Sequence, residues 1–169
     1  SYKTLNKDNP KLNCRLKNME KFSPKRIVLD NNLQTNTGSY LFKTANKNNT
    51  IIFYNEANKL KILEFNKKKI KLIKSKLNKN KTFDILFILK KLHDLGCRNI
   101  LIEGGNELTR NFINKKMFNQ FYLFKSPIKL SKLTEFKEFD GLNLLKQNYK
   151  KKTNVNYNFG KDTITLYKN

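Results

Sequence analysis

One stretch, residues 99–112 (NILIEGGNELTRNF), constrains the fold of this chain most strongly. Residues 100–102 are continuously apolar, which is typical of a short strand buried on both faces. Gly104 and Gly105 permit a sharp turn or the close approach of a ligand. Asn106 is placed to cap a following helix, whose first amides would attract phosphate. The pattern predicts strand, glycine turn and helix, although a tight connection without any ligand fits it equally well.

Glu103 ends the predicted strand, beside the glycine turn. Open α/β sheets bind their ligands outside the carboxyl ends of the strands, so this carboxylate is a candidate ligand contact. A capping or salt-bridged carboxylate is the alternative. The dinucleotide fingerprint G-x-G-x-x-G is absent, and no acidic residue follows at the distance that would hold a ribose.

The rest of the chain predicts one α/β domain over residues 1–169, with a polar loop at residues 1–15 that turns at Asp8-Asn9-Pro10. Thr82 is expected to cap a helix over residues 83–95, which Gly96 ends. Strands are predicted at residues 26–30, 51–55, 60–65, 70–73, 98–103 and 121–124, and in a hairpin of residues 155–159 and 163–167. Residues 70–116 therefore predict a βαβα unit with a right-handed crossover.

The net charge of +23 would ordinarily indicate nucleic-acid binding. The basic residues are 32 Lys and four Arg, spread along the whole chain, and no aromatic stacking platform is interleaved with them. A solvated lysine surface is the simpler interpretation, so no nucleic-acid partner is expected. Because Arg is scarce, the four arginines are candidate anion-binding residues: Arg15, Arg26, Arg98 and Arg110. The planar guanidinium of each can bind a phosphate or carboxylate through two hydrogen bonds. Simple ion pairing is the alternative, above all for Arg98.

Metal and membrane sites are not expected. Cys14 and Cys97 have no metal-ligand spacing, and His93 lies among charged residues where solvation is the simpler role. No apolar run approaches the ~18 residues of a membrane span, and no leader pattern is visible at Ser1. The expected location is the cytoplasm.

Four segments, in this order, resemble a known family: LNKDNPKLNCR, RIVLDNN, ILIEGGNELTRNF and a closing G-K-D hairpin. They are similar to the reductase domain of the bifunctional riboflavin-biosynthesis deaminase/reductase, whose fold is similar to dihydrofolate reductase. The resemblance implies a mixed, mostly parallel sheet with an antiparallel C-terminal hairpin and helices on both faces. It also implies that the family's domain begins upstream of Ser1, with a further strand, and that a deaminase domain precedes it.

The resemblance implies site residues at the positions that match the family's motifs. Those implied to contact NADPH are Thr4, Asp8, Asn31, Gly105, Asn106, Glu107, Leu108, Thr109, Arg110 and Asn111. Those implied to contact the substrate are Leu12, Arg15 and Glu103, with Arg15 suited to a 5′-phosphate. Tyr2 and Lys3 depart from the small residues that the family prefers, and a glycine usual after Pro127 is missing.

The implied reaction is NADPH-dependent reduction of the ribosyl group of a phosphorylated pyrimidine ribosylamine to a ribityl chain, in a homodimer. No acid–base pair is visible, so no catalytic residue is assigned. Two alternatives stay open at this point. One is a dihydrofolate reductase-like enzyme with another pterin or pyrimidine substrate, and the other is a basic nucleic-acid-binding module.

Overall fold

The computed structural model describes residues 1–128, 139, 141–156 and 160–169. The chain divides into two compact units, Ser1–Leu101 and Ile102–Asn169. Each unit has its own sheet, and in the described residues the first unit contains two apolar clusters and the second contains one. The prediction that residues 1–169 form a single reductase domain stays a prediction.

The first unit is built on a parallel three-stranded sheet in the order β1-β2-β3. Its elements are α1 (Tyr2–Asp8), a 3₁₀ turn (Glu20–Phe22), β1 (Arg26–Leu29), α2 (Tyr40–Lys43), β2 (Thr50–Tyr54), α3 (Lys59–Lys67), β3 (Lys71–Lys74) and α4 (Ile85–Asp94). The central strand β2 reads TIIFY and is almost wholly buried. This continuous apolar run is what a parallel strand covered on both faces requires.

Helices cover both faces of this sheet, as predicted. Because neighbouring side chains on a strand alternate between faces, Ile52 joins one apolar cluster and Phe53 the other. The first cluster takes side chains from α1, α2 and α3, including Phe42 and Phe65, whose ring centroids lie 4.9 Å apart, edge to face. The second cluster is covered by α4.

The second unit is an antiparallel three-stranded sheet in the order β4-β6-β5, with two helices. Its elements are α5 (Asn106–Asn114), β4 (Gln120–Lys125), α6 (Leu142–Asn148), β5 (Lys152–Asn154) and β6 (Thr163–Lys168). The predicted C-terminal antiparallel pairing is present, but its first strand begins earlier than predicted, since Lys152–Asn154 pairs with β6. Residues 155 and 156 are assigned to no strand, although the Val155 amide donates to the Ile164 carbonyl at 3.0 Å, and the predicted strand residues 157–159 lie outside the described residues. The predicted α/β class, with a parallel sheet and an antiparallel C-terminal part, is confirmed.

The strand predicted at residues 60–65 is wrong, because these residues lie in α3. Asn58 caps that helix, and its side chain accepts a hydrogen bond from the Lys61 amide at 2.8 Å. Only Phe65 of the helix is fully buried. The apolar residues of LKILEF fit a helix as well as a strand, and the cap with this one anchor decides between them.

The strand predicted at residues 98–103 is also wrong. Residues 98–105 are assigned to no helix or strand, and 83% of Leu101 and 37% of Ile100 are exposed. A buried strand needs a neighbouring strand to take up its backbone hydrogen bonds, and none of the described strands pairs with this run. The predicted βαβα unit therefore lacks its second strand.

Two local predictions are corrected at helix starts. Residues 1–15 were predicted as a polar loop, but Tyr2–Asp8 form α1, which buries Leu5 and ends where Asn9 adopts φ 44° in the predicted turn. Thr82 was predicted to cap α4, whereas Asp84 does so, accepting from the Leu86 amide at 3.0 Å. Both side chains have an oxygen that could accept from a helix amide. Asp84 is the cap because it directly precedes Ile85, the first residue of the helix.

Candidate functional site

The loops that follow the three parallel strands meet at the carboxyl edge of the first unit's sheet. The Asn31 carbonyl, after β1, accepts from the amides of Asn55 (2.9 Å) and Glu56 (3.1 Å), which follow β2. The Ser75 amide, after β3, donates to the Tyr54 carbonyl at 2.7 Å. Since ligands of open α/β sheets bind at this edge, it is the first candidate site of the chain.

Asp30 organises this edge. It is fully buried, and its carboxylate accepts from the Gln34 amide (2.8 Å), the Thr35 amide (2.7 Å) and the Thr35 hydroxyl (2.7 Å). These charge-assisted bonds hold the chain from Asn31 to Thr35 in one conformation. Asp30 is not among the site residues predicted from the sequence. The signal was present, because it is a carboxylate directly after an apolar strand, which is the criterion that selected Glu103.

Asn31 is a predicted NADPH contact, and it lies at this edge. Its side-chain Oδ1 is buried, and no group of the described residues donates to it. Buried polar atoms without a partner are uncommon in folded proteins. The Asn31 side chain therefore has an unused acceptor oxygen beside this edge.

Helix α1, which carries the predicted NADPH contacts Thr4 and Asp8, is attached to the loop that follows β1. The Asn6 side chain donates to the Gln34 carbonyl and accepts from the Asn36 amide, both at 2.8 Å. At the end of the helix, the Asn9 side chain accepts from the Tyr40 amide at 2.8 Å. Thr4 is half-buried and Asp8 is exposed. The structure thus fixes α1 against the same loop that Asp30 orders.

The predicted substrate contacts of the first unit follow α1. Leu12 is half-buried with φ 49° and packs against the first apolar cluster. Arg15 is exposed, and in the described part of the chain its guanidinium makes no hydrogen bond or ion pair. An exposed, unengaged Arg fork is able to bind an anion. Arg98, in contrast, donates to the His93 carbonyl at 2.9 Å, beyond the end of α4.

The remaining predicted residues belong to the second unit. Glu103 is exposed, and because residues 98–105 are not a strand, it does not lie at a strand end. Asn106 was predicted to cap α5, but Gly105 is the N-cap and Asn106 is the first helical residue. Gly105 has no side chain to accept from the helix's first amides. Five further predicted NADPH contacts lie in α5: Glu107, Leu108, Thr109, Arg110 and Asn111.

Gly104 fits closely against α5. A Cβ atom at this position would lie 3.0 Å from Leu108 Cδ2 and 3.2 Å from Leu108 Cβ. The Thr109 hydroxyl also donates to the Gly104 carbonyl at 3.3 Å. The glycine therefore lets the chain pass close to the first turn of the helix, which a larger residue would displace.

Comparison with known proteins identifies the family. The family model of the RibD C-terminal domain matches residues 1–163. The chain belongs to the RibD C-terminal domain family. This confirms the resemblance to the reductase domain of the riboflavin-biosynthesis deaminase/reductase.

Two curated relatives are named riboflavin biosynthesis protein RibD. The protein from Actinobacillus pleuropneumoniae is 30% identical over 124 residues, which are 73% of this chain and 32% of the relative. The protein from Aquifex aeolicus (strain VF5) is 24% identical over 165 residues, 98% of this chain and 44% of the relative. The chain thus spans less than half the length of these relatives.

Solved structures show the same fold. RibD from Acinetobacter baumannii superposes with a TM-score of 0.70 at 16% identity, covering 98% of this chain and 44% of that one. A pyrimidine reductase-like protein from Corynebacterium diphtheriae also gives 0.70, at 15% identity, with 98% and 72% covered. In the described part of the RibD-family chain, no group of three His, Cys, Asp or Glu side chains is placed to hold a metal ion. None of its described helices has the length and apolarity needed to cross a membrane.

Proposed function

We propose that this chain is an NADPH-dependent oxidoreductase domain. Its substrate would be the phosphorylated pyrimidine ribosylamine 5-amino-6-(5-phosphoribosylamino)uracil, whose ribosyl group is reduced to a ribityl chain in riboflavin biosynthesis. The observation that carries the proposal is the match of the RibD C-terminal domain model to residues 1–163. The local geometry in each unit supports it.

The start of α5 suits the phosphates of NADPH. The N-cap is a glycine, so no side chain of the cap occupies the first amides, and the helix is nine residues long. Amides at a helix start, together with the helix dipole, favour negative charge. Residues 105–111 would hold the cofactor phosphates through this helix start.

The first unit suits other polar groups of the cofactor. Asn31 offers a buried, unpartnered Oδ1 at the carboxyl edge of the sheet. Thr4 and Asp8 lie on α1, which hydrogen bonds attach to the loop after β1. The proposal assigns these three side chains to NADPH, as the family resemblance implies.

The family resemblance assigns Leu12 and Arg15 of the first unit to the substrate and, in the second unit, Glu103. The Arg15 guanidinium suits the 5′-phosphate, because its fork can donate two parallel hydrogen bonds to phosphate oxygens. When bound, NADPH supplies the hydride that reduces the ribosyl carbon. The protein's contribution is to bring two bound molecules together in a reactive orientation, which is worth several kcal/mol of the barrier.

Calorimetric titration with NADPH and with NADH tests the cofactor assignment. We expect saturable binding of NADPH, weaker binding of NADH, and loss of affinity in Asn31→Leu, which removes the polar atoms at nearly constant volume. Asn66→Leu, in an exposed position on α3, is the matched control. No binding heat at millimolar NADPH would overturn the proposal.

A substrate panel with NADPH oxidation as the readout tests the reaction. The phosphoribosylaminouracil should be consumed, and Arg15→Ala should raise KM more than it lowers kcat, because it removes a contact to a non-reacting phosphate. Oxidation of NADPH with a dihydropterin instead would favour a dihydrofolate reductase-like enzyme with another substrate.

A homodimer, also proposed from the family resemblance, is tested by sedimentation equilibrium.

A further inference from the structure

Arg26, at the amino end of β1, is a buried cation held only by neutral groups. Its side chain is 6% exposed. Nη1 donates to the Thr44 hydroxyl at 2.8 Å. Nη2 donates to the Thr44 carbonyl (3.1 Å), Asn49 Oδ1 (3.1 Å) and the Thr50 hydroxyl (3.0 Å). These bonds fix the guanidinium in position without neutralising it.

The positive charge of Arg26 has no carboxylate partner among the residues that the structure describes. A guanidinium carries five N–H donors, and neither Nε nor the second hydrogen of Nη1 meets an acceptor there. Burial lowers the pKa of Arg26, and nearby Tyr40 opposes this with a smaller effect. Since the ordinary pKa of Arg is so high, the group stays charged at neutral pH. A buried charge without a counter-charge is costly, which favours an anion beside it.

A cavity of about 170 Å³ is lined in part by Arg26. Its polar lining includes Asn13, Ser23 and Tyr40. Asn13 Oδ1 is buried and has no partner among the described residues. Ser23 is already engaged, since its hydroxyl donates to the Glu20 carbonyl at 2.6 Å and accepts from the Cys14 amide at 3.1 Å. Arg26, Asn13 and the Tyr40 hydroxyl are therefore the groups with hydrogen-bonding capacity left for an occupant.

We propose that this cavity binds a small oxyanion, a phosphate or carboxylate group, with Arg26 as its counter-charge. The side-chain amide of Asn13 can present Nδ2 in place of Oδ1 by rotating about its last torsion, and so can donate to the anion. The volume accommodates a group of several heavy atoms. The chain has four arginines, and Arg26 is the one that is buried. It also lines the cavity.

Within the first unit, this site is separate from Asn31, the residue proposed for NADPH at the carboxyl edge of the sheet. Arg26 begins β1, so the cavity lies at the amino edge of the parallel sheet, whereas Asp30 and Asn31 follow β1 at the carboxyl edge. Leu12 is the only residue assigned to the substrate that also lines the cavity. The inference does not depend on the proposed function.

Thermal unfolding in sodium phosphate, compared with sodium chloride at the same ionic strength, tests the site. We expect the unfolding midpoint to rise saturably with phosphate, and by more than it rises with chloride at the same ionic strength, because a ligand that binds only the folded state stabilises it in addition to the screening of charge. A parallel series in sodium acetate distinguishes a site for carboxylate from one for phosphate alone. An equal rise in chloride would overturn the proposal, since it would show screening of the net charge only.

Three variants test which residues are responsible for the phosphate-dependent rise of the unfolding midpoint. Asn13→Leu has nearly the same volume, breaks no hydrogen bond of Oδ1, and should weaken phosphate binding about tenfold, as expected for the loss of one charge-assisted hydrogen bond. Arg26→Met should abolish the effect if it folds. Arg15→Ala is the control, because Arg15 is the residue proposed for the substrate phosphate. Loss of the phosphate effect in Arg15→Ala, with retention in Asn13→Leu, would contradict the inference.

Discussion

At the scale of single residues, two buried polar side chains carry opposite energetic consequences. Asp30 is fully buried with three hydrogen bonds, and Tyr149 is 3% exposed with a hydroxyl that no described residue partners. A satisfied buried carboxylate stabilises its surroundings, whereas a buried hydroxyl without a partner costs free energy. The two side chains therefore make separable predictions.

Asp30→Asn should lower the free energy of unfolding by about 3 kcal/mol. The asparagine keeps one acceptor oxygen, but its amide hydrogens would face the donors of Gln34 and Thr35. Urea denaturation measures the change. Asp94→Asn, in an exposed position at the end of α4, is the control, and equal losses in the two variants would show that the hydrogen bonds of Asp30 do not matter.

Tyr149→Phe should raise the free energy of unfolding by about 1 kcal/mol at neutral pH, because it removes the unpartnered hydroxyl. Burial raises the pKa of Tyr149 in the folded protein. The stability of the wild-type protein is therefore full below the unfolded value of about 10 and falls as the pH rises through the folded pKa. The free energy of unfolding of Tyr149→Phe should therefore exceed that of the wild type by a growing amount as the pH rises above about 10. Denaturation curves of both proteins from neutral to alkaline pH measure it, and a constant difference would be evidence against this reasoning.

At the scale of elements, helix caps decided what apolar spacing left ambiguous. Residues 60–65 carry apolar side chains that suit either a strand or a helix, and the side-chain cap of Asn58 begins a helix there. The caps of α4 and α5 each lie within two residues of the predicted position. Apolar periodicity finds an element, but its type and ends depend on local hydrogen bonds.

Asn58→Ala should cost about 1 kcal/mol of stability and reduce helix content, because it leaves the Lys61 amide without its cap. Circular dichroism and urea denaturation give both quantities. Asn58→Asp retains an acceptor oxygen and should behave like the wild type. If Asn58→Ala were neutral, the cap would not be what selects helix over strand.

At the scale of the whole molecule, the net charge of +23 is the dominant physical property. Like charges repel one another in the compact state, so screening by salt should stabilise the fold. We expect the unfolding midpoint to rise between about 10 and 150 mM sodium chloride, the range over which the Debye length falls from about 30 to 8 Å. A midpoint that is flat or falls with salt would contradict this expectation.

The same charge makes a nucleic-acid-binding module the rival hypothesis. Binding that comes only from lysine–phosphate contacts should fall steeply with salt. We expect this chain to bind single-stranded RNA at low salt and to release it at physiological ionic strength. Fluorescence anisotropy measures this, and tight binding that persists at physiological salt would favour the rival.

The sequence by itself determined the family, the α/β class and the apolar strands β1 and β2, because these follow from local motifs and from a burial pattern that is continuous along the chain. It also placed Asn31 and the start of α5 among the candidate residues. Tertiary structure alone decided that residues 100–102 are not a strand, since strand formation requires a paired neighbour. It also decided that Asp30 orders the loop after β1 and that Arg26 is buried without a counter-charge. Such facts depend on which distant groups come together, and no local pattern encodes that.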